Sequence, residues 1–140
     1  MRKVKCNYSK CVTEEKVNEI GKKVNYAFPS EFIHFIMNNS GGYPELNCID
    51  IEEDTENVNN FLDFVEEESN YIVDIYNRNK GMQIHDCIPF ARDSASNYYC
   101  FDRNDDQILF WDHEECDEEN GPFFVCDNFS DFLDRLYNEQ

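Results

Sequence analysis

Ile88-Pro89-Phe90-Ala91, Tyr98-Tyr99-Cys100-Phe101, Ile108-Leu109-Phe110-Trp111 and Phe123-Phe124-Val125 are four short apolar runs separated by polar loops of hairpin length. That spacing predicts antiparallel strands in a meander. Downstream, Asn128 offers a helix N-cap, and Phe129, Phe132, Leu133, Leu136 and Tyr137 recur at i, i+3, i+4, i+7 and i+8 through a final amphipathic helix. Upstream, a helix opens at Thr13 with Val17, Ile20 and Val24 on one stripe, weakened but not ended by Gly21. Pro29 suits a first helical position, and Ser30 to Asn39 then carries Phe32, Ile33, Phe35, Ile36 and Met37 around much of its circumference. This second helix is expected to be the most buried. Asn39-Ser40-Gly41-Gly42-Tyr43-Pro44 stops it, because paired glycines accept positive φ and Pro44 forbids continuation.

Between these regions the pattern is less definite. Cys48-Ile49-Asp50-Ile51 and Phe61-Leu62-Asp63-Phe64-Val65 read as short strands flanking an acidic, Asn-rich loop from Glu52 to Asn60. Phe61, Phe64 and Val65 also fit helical spacing. Ile72, Ile75 and Tyr76 predict a helix over about 69–78, ended by Asn79-Lys80-Gly81. The fold class is therefore α+β: a single domain over residues 1–140, with an antiparallel meander, two N-terminal helices and a C-terminal helix packed on it. Residues 1–12 are expected to form a loosely ordered N-terminal segment.

Composition limits what such a domain does. At 140 residues, 41% hydrophobic and 15% aromatic, the chain can build one core without a disulfide or metal staple. Its apolar runs are too short for a membrane helix, and no secretory signal follows the basic start, so a cytoplasmic location is expected. A formal charge of −18 repels a phosphate backbone and disfavours direct nucleic-acid binding. The same field speeds encounter with basic partners. Seven scattered cysteines, an odd number without paired short spacings, read as free thiols.

No Walker loop, Gly-x-Ser-x-Gly elbow, His-Glu-x-x-His or Gly-x-Gly-x-x-Gly motif is present, so neither an enzyme nor a cofactor is expected. His113 and Cys116 form at most half of a zinc site, and no second half follows. The carboxylate runs Glu52-Glu53-Asp54, Glu66-Glu67-Glu68 and Asp117-Glu118-Glu119 lack calcium-loop spacing and read first as solvated loops. His34 and His85 have no nucleophile signature beside them. The distinctive segment is Ile108 to Glu114, where an apolar strand ends in Trp111, Asp112, His113 and Glu114. That rim can form a binding patch, or Trp111 can be core while Asp112 caps the turn and His113 bonds locally.

The order of features resembles the SUKH superfamily, which includes yeast cell-wall-assembly regulators and bacterial immunity proteins. Phe28-Pro29-Ser30-Glu31-Phe32 and Asn39-Ser40-Gly41-Gly42-Tyr43-Pro44 are similar to its Leu-Pro-x-x-aromatic helix and Asn-Gly-Gly turn. Ile88-Pro89-Phe90-Ala91-Arg92-Asp93 with Asn97-Tyr98-Tyr99-Cys100-Phe101-Asp102 resembles its central hairpin, Trp111 to Glu114 its next strand end, and Asn128 to Leu133 its closing helix. Pro29, Gly41, Gly42, Pro89, Asp93 and Asn97 are thereby marked as structural positions. Ser96 stands where the family often has Gly, and Phe28 where it has Leu.

The resemblance implies a non-enzymatic protein-binding module. Bacterial members act as antitoxins against polymorphic secreted toxins, frequently nucleases; the eukaryotic members imply the alternative of a regulatory scaffold. A basic toxin domain is the expected partner. The candidate surface joins the loops Glu52 to Glu56 and Glu114 to Glu119, with Tyr43, Glu52, Glu53, Asp54, Trp111, Asp112, His113, Glu114 and Glu115 as contacts and Trp111 and Tyr43 as aromatic anchors.

One consequence is directly measurable. Neither EDTA nor dithiothreitol is expected to lower the melting temperature by as much as about 5 °C, roughly 1 kcal/mol for a domain of this size. A larger fall in a thermal melt would reveal a structural metal or disulfide.

Overall fold

The computed structural model describes residues 2–138. In the N-terminal half, β1 (Cys6–Asn7) precedes α1 (Glu14–Lys23) and α2 (Ser30–Ile36), and β2 (Tyr43–Pro44) returns to pair antiparallel with β1. Thr13 caps α1 as expected, its Oγ accepting from the Lys16 amide at 3.1 Å. Glu14 and Glu15 in the first turn and Lys22 and Lys23 in the last complement the helix dipole. Pro29 is the residue before α2 rather than its first helical position, with ψ of 148° directing the chain in. The α-helix ends at Ile36, short of Asn39, because the Asn38 and Asn39 amides take the tighter i−3 bonds to Phe35 and Ile36.

The exit turn depends on both glycines for different reasons. Gly41 has φ +69°, and its missing Cβ leaves room for the Asp63 carboxylate. Asp63, 4% exposed, takes hydrogen bonds from Ser40 Oγ at 3.2 Å and Lys10 Nζ at 2.9 Å, tying the N-terminal segment to the sheet. Gly42 is outside the positive-φ region expected for it. There the constraint is space, since a Cβ would lie 2.7 Å from Cys6 Cβ and 3.0 Å from Ser9 Cβ.

The expected Glu52–Asn60 loop is instead half of a hairpin. Residues of β3 (Cys48–Ile51) pair with β4 (Asp54–Asn57) around the two-residue turn Glu52-Glu53, where Glu52 takes φ +56°. Of the 61–65 segment only its start is strand, β5 (Asn60–Phe61); Asp63 then bridges in parallel to Tyr71. Helix α3 (Ile72–Arg78) fits expectation, but Lys80 and Gly81 do not end the helical region: α4 (Lys80–Ile84) follows at once. Asn79 alone is the break, with φ −105° and ψ 65°.

The meander is β6 (Cys87–Arg92), β7 (Tyr98–Asp102), β8 (Ile108–Trp111) and β9 (Phe123–Cys126), all antiparallel, with β5 added beside β6. Pro89 lies at a bulge in the β6–β7 register, where a missing amide is tolerated. Successive residues face opposite ways, so Ile88, Phe90, Tyr99, Phe101, Ile108 and Phe110 enter the main core. Cys87, Cys100, Leu109 and Trp111 enter a second cluster, covered by Met82 of α4 and by Cys116. No helix of the described residues is long and apolar enough to cross a membrane.

Helix α5 (Phe129–Arg135) closes the main core, with the Asn128 side chain accepting from the Asp131 amide at 2.8 Å. It stops before Leu136 and Tyr137. Leu136 turns extended at ψ 141°, and Tyr137 forms a bridge with Cys48, fastening the β3–β4 hairpin to the C-terminus. For the Gly42 contact, the expectation is that Gly42→Val destabilises the fold by about 1–3 kcal/mol through overpacking. A urea titration of the two proteins with coincident midpoints would refute the close approach.

Candidate protein-binding site

Two segments some 60 positions apart converge on one shallow cleft, lined by Ile51, Glu52, Asp54, Glu56, Phe110, Asp112, Glu115 and Phe123. The β3–β4 hairpin supplies three of its carboxylates. Glu52 sits in the turn, and Asp54 and Glu56 point the same way because they are two apart on a strand. The other two come from the turn after β8. Asp112 Oδ1 accepts from the amides of Glu114 at 2.9 Å and Glu115 at 3.4 Å, and the Cys116 amide closes the turn on the Asp112 carbonyl at 2.8 Å. That turn sets Glu115 opposite the hairpin.

The cleft volume of about 30 Å3 suits the head of one side chain rather than a small-molecule substrate. Among the described residues, none of these five carboxylates is ion-paired. Glu56 and Asp112 are the half-buried members. Burial, and then the negative charges of Asp93, Asp54, Asp112 and Glu115, push the Glu56 carboxyl above the usual glutamate range.

Behind the cleft runs a polar brace. Asp93 accepts from the amides of Ala95 and Asn97 at 2.9 and 2.8 Å and from Asn97 Nδ2 at 2.9 Å. Asn97 Oδ1 in turn accepts from the His113 amide at 3.0 Å and meets His113 Nδ1 at 2.6 Å. The β6–β7 turn is thus bolted to the end of β8. His113 is exposed and engaged in this brace, as the local-bonding alternative expects.

The sequence-predicted contacts therefore divide. Glu52, Asp54, Asp112 and Glu115 meet in the cleft, while Glu53 and Glu114 are exposed beside it and do not line it. Trp111 is not the exposed anchor expected: it is 7% exposed, packed 3.3 Å from the position a Gly81 Cβ would occupy and 5.2 Å, centroid to centroid, from the His85 ring. Its truncation is a core deletion. Tyr43 is 41% exposed but belongs to the β1–β2 ladder and lines no part of the cleft. Glu56 lies at the end of the expected Glu52 to Glu56 loop but is not among the contacts singled out, and Ile51, Phe110 and Phe123 line the cleft from outside the expected surface; the two-residue period of Asp54-Thr55-Glu56 is the signal that places Glu56 with Asp54.

Other chemistry has little to build on. Among the described residues no group of three or more His, Cys, Asp or Glu side chains is placed to hold a metal ion. Cys116 is buried, its Sγ accepting from the Asp112 amide at 3.4 Å. Burial raises the Cys100 thiol pKa well above the usual range, which works against thiolate reactivity.

Residues 11–135 match the SMI1 / KNR4 family (SUKH-1). The chain belongs to this family. It is 23% identical over 153 residues to the SPbeta prophage-derived uncharacterized protein YokK of Bacillus subtilis (strain 168), covering 94% of this chain and 78% of that protein. Immunity and regulatory roles both fit an SMI1 / KNR4 chain, as does action through protein–protein contact. The departure at Ser96 also has a physical reading in this SUKH-1 chain. Ser96 has φ +65°, the left-handed conformation for which glycine is favoured, and its Oγ accepts from Arg92 Nη2 at 3.2 Å.

The raised Glu56 carboxyl has a signed consequence. Its folded-state pKa lies above the unfolded value, so the favourable contribution is present below about pH 4.5 and is lost as pH rises through the folded pKa. Glu56→Gln is therefore expected to melt modestly higher than the parent near pH 7 and to lose that advantage toward pH 4. Parallel melts across that range check it, and an advantage independent of pH would show that the cost of ionising Glu56 is not the cause.

Proposed function

We propose that the protein is a non-enzymatic immunity protein that neutralises a basic secreted toxin domain by binding it at the acidic cleft. The observation that carries this reading is the convergence of Glu52, Asp54, Glu56, Asp112 and Glu115, without basic partners, on one cleft with Phe110 and Phe123 at its walls. Burial and the neighbouring carboxylates leave Glu56 reluctant to ionise, and the group gains from a cationic side chain of a partner that enters among them. A nuclease toxin presents such cations in its nucleic-acid groove. Occupying that groove blocks substrate sterically and electrostatically. The family assignment and the prophage-derived relative support the same reading.

The test uses the toxin-like product of a neighbouring gene. Co-expression is expected to restore growth and to yield a stable complex, whereas a regulatory scaffold would bind without relieving toxicity. In the triple variant Glu56→Gln/Asp112→Asn/Glu115→Gln, association is expected to slow about tenfold at low salt and to lose much of its salt dependence. Stopped-flow association rates that are unchanged in the variant would remove the electrostatic mechanism.

A further inference from the structure

The charge of this chain is segregated. Residues 1–44 carry seven basic and four acidic side chains, while residues 45–140 carry five and twenty-six, so a segment of net +3 is attached to one of net −21. The basic side chains closest to the N-terminus frame a groove of about 850 Å3 between the β1 segment and α2, lined by Arg2, Lys3, Val4, Lys5, Cys6, Ser9, His34, Phe35, Asn38 and Asn39. It shares no residue with the acidic cleft. Val4 and Phe35, 5% and 7% exposed, form its apolar floor.

Its cations are unequally committed. Arg2 is held by the C-terminal helix region, its amide donating to Asp134 Oδ1 at 2.7 Å and its guanidinium to the Leu136 carbonyl. Lys3 and Lys5 are exposed, and among the described residues neither is ion-paired. Beside the groove, between the lining residues Cys6 and Ser9, Tyr8 is 87% exposed with φ +58°. A bulky residue in that conformation is strained, and its ring stands in solvent, edge-on to Tyr43 at 6.1 Å. The groove combines an apolar floor with free ammonium groups, and the segment that forms its wall carries an exposed aromatic residue outside the lining, ingredients of a protein-docking surface.

We propose that this groove is a second docking surface, and that its occupant is an extended acidic peptide segment of a partner protein, with carboxylates on Lys3 and Lys5 and an apolar side chain on Val4 and Phe35. Charge complementarity selects the acidic occupant. The groove sets three basic side chains, Arg2, Lys3 and Lys5, around an apolar floor in a space large enough for several side chains. The protein is then bivalent, taking a basic surface at the cleft and an acidic segment at the groove. This inference does not depend on the toxin reading of the cleft.

The probe is a fluorescein-labelled peptide of about ten residues alternating Glu and Leu, which when extended presents its Glu and Leu side chains on opposite faces. Anisotropy titration is expected to show saturable binding that weakens with salt. Lys3→Glu/Lys5→Glu is expected to weaken it at least about tenfold and Tyr8→Ala by less, with melting temperatures near the parent's because all three residues are exposed. Glu115→Gln in the cleft should leave it unchanged, which separates this surface from the one proposed for the toxin. No saturable binding, equal binding of a Gln-Leu peptide, or full affinity in the charge-reversed variant would each overturn the proposal. So would sedimentation showing that the chain dimerises through the groove and that peptide does not compete.

Discussion

Phe32 of α2, Phe90 and Phe101 of β6 and β7, and Phe129 of α5 meet at ring-centroid distances of 4.6 to 6.1 Å, and every element that positions the cleft is hung from that contact. Most of these pairs are edge-to-face or tilted, the arrangements in which an aromatic pair contributes about 0.5–1.5 kcal/mol beyond area burial. The contact joins residues from position 32 to position 129. It joins α2 and α5 to the sheet, and Phe132 extends it to Tyr99. The hairpin that carries Glu52, Asp54 and Glu56 is attached to this frame at its base, through Tyr137 on Cys48 and through the Asn47 carbonyl on the Val58 amide.

The sheet has a second constraint, because its other face is apolar as well. Cys87, Cys100, Leu109 and Trp111 would meet water if α4 did not cover them with Met82. A meander with helices on one face alone would leave Trp111 free as an anchor. A sheet covered on both faces makes it core. The turn after β8 then contributes to the packing and to the cleft together: Cys116 completes the second cluster while Asp112 and Glu115 are turned toward the hairpin.

The cleft concentrates cost. Glu52 occupies a left-handed conformation in a two-residue turn where glycine or asparagine is the ordinary choice, and five carboxylates share a small space. Neither feature helps folding. Both are understandable where binding sets the demand, since a surface poised to receive a cation is less stable without one than a neutralised surface would be.

Within this fold, the strongly periodic elements were legible from the chain alone. Thr13, Asn128 and the stripe Val17-Ile20-Val24 place two helices because capping and a 3.6-residue period are local properties, and the meander follows from apolar runs at hairpin spacing. The net charge of −18 disfavours nucleic acid, and the basic partner stays an expectation drawn from that charge together with the family resemblance. What tertiary structure decided were features whose partners lie far away. The β3–β4 hairpin has no glycine in its turn and only polar side chains on β4, so local propensity could not reveal it; pairing with Cys48–Ile51 makes it a strand. The burial of Trp111 depends on α4, a five-residue helix containing Gly81 that is too short to hold its own against water and forms by packing on the sheet. Tyr43 and the acidic loops are all surface features in sequence, and only the antiparallel return of β2 to β1 puts Tyr43 beside Asn7 and Tyr8, while the β8 turn puts Asp112 and Glu115 with Glu56.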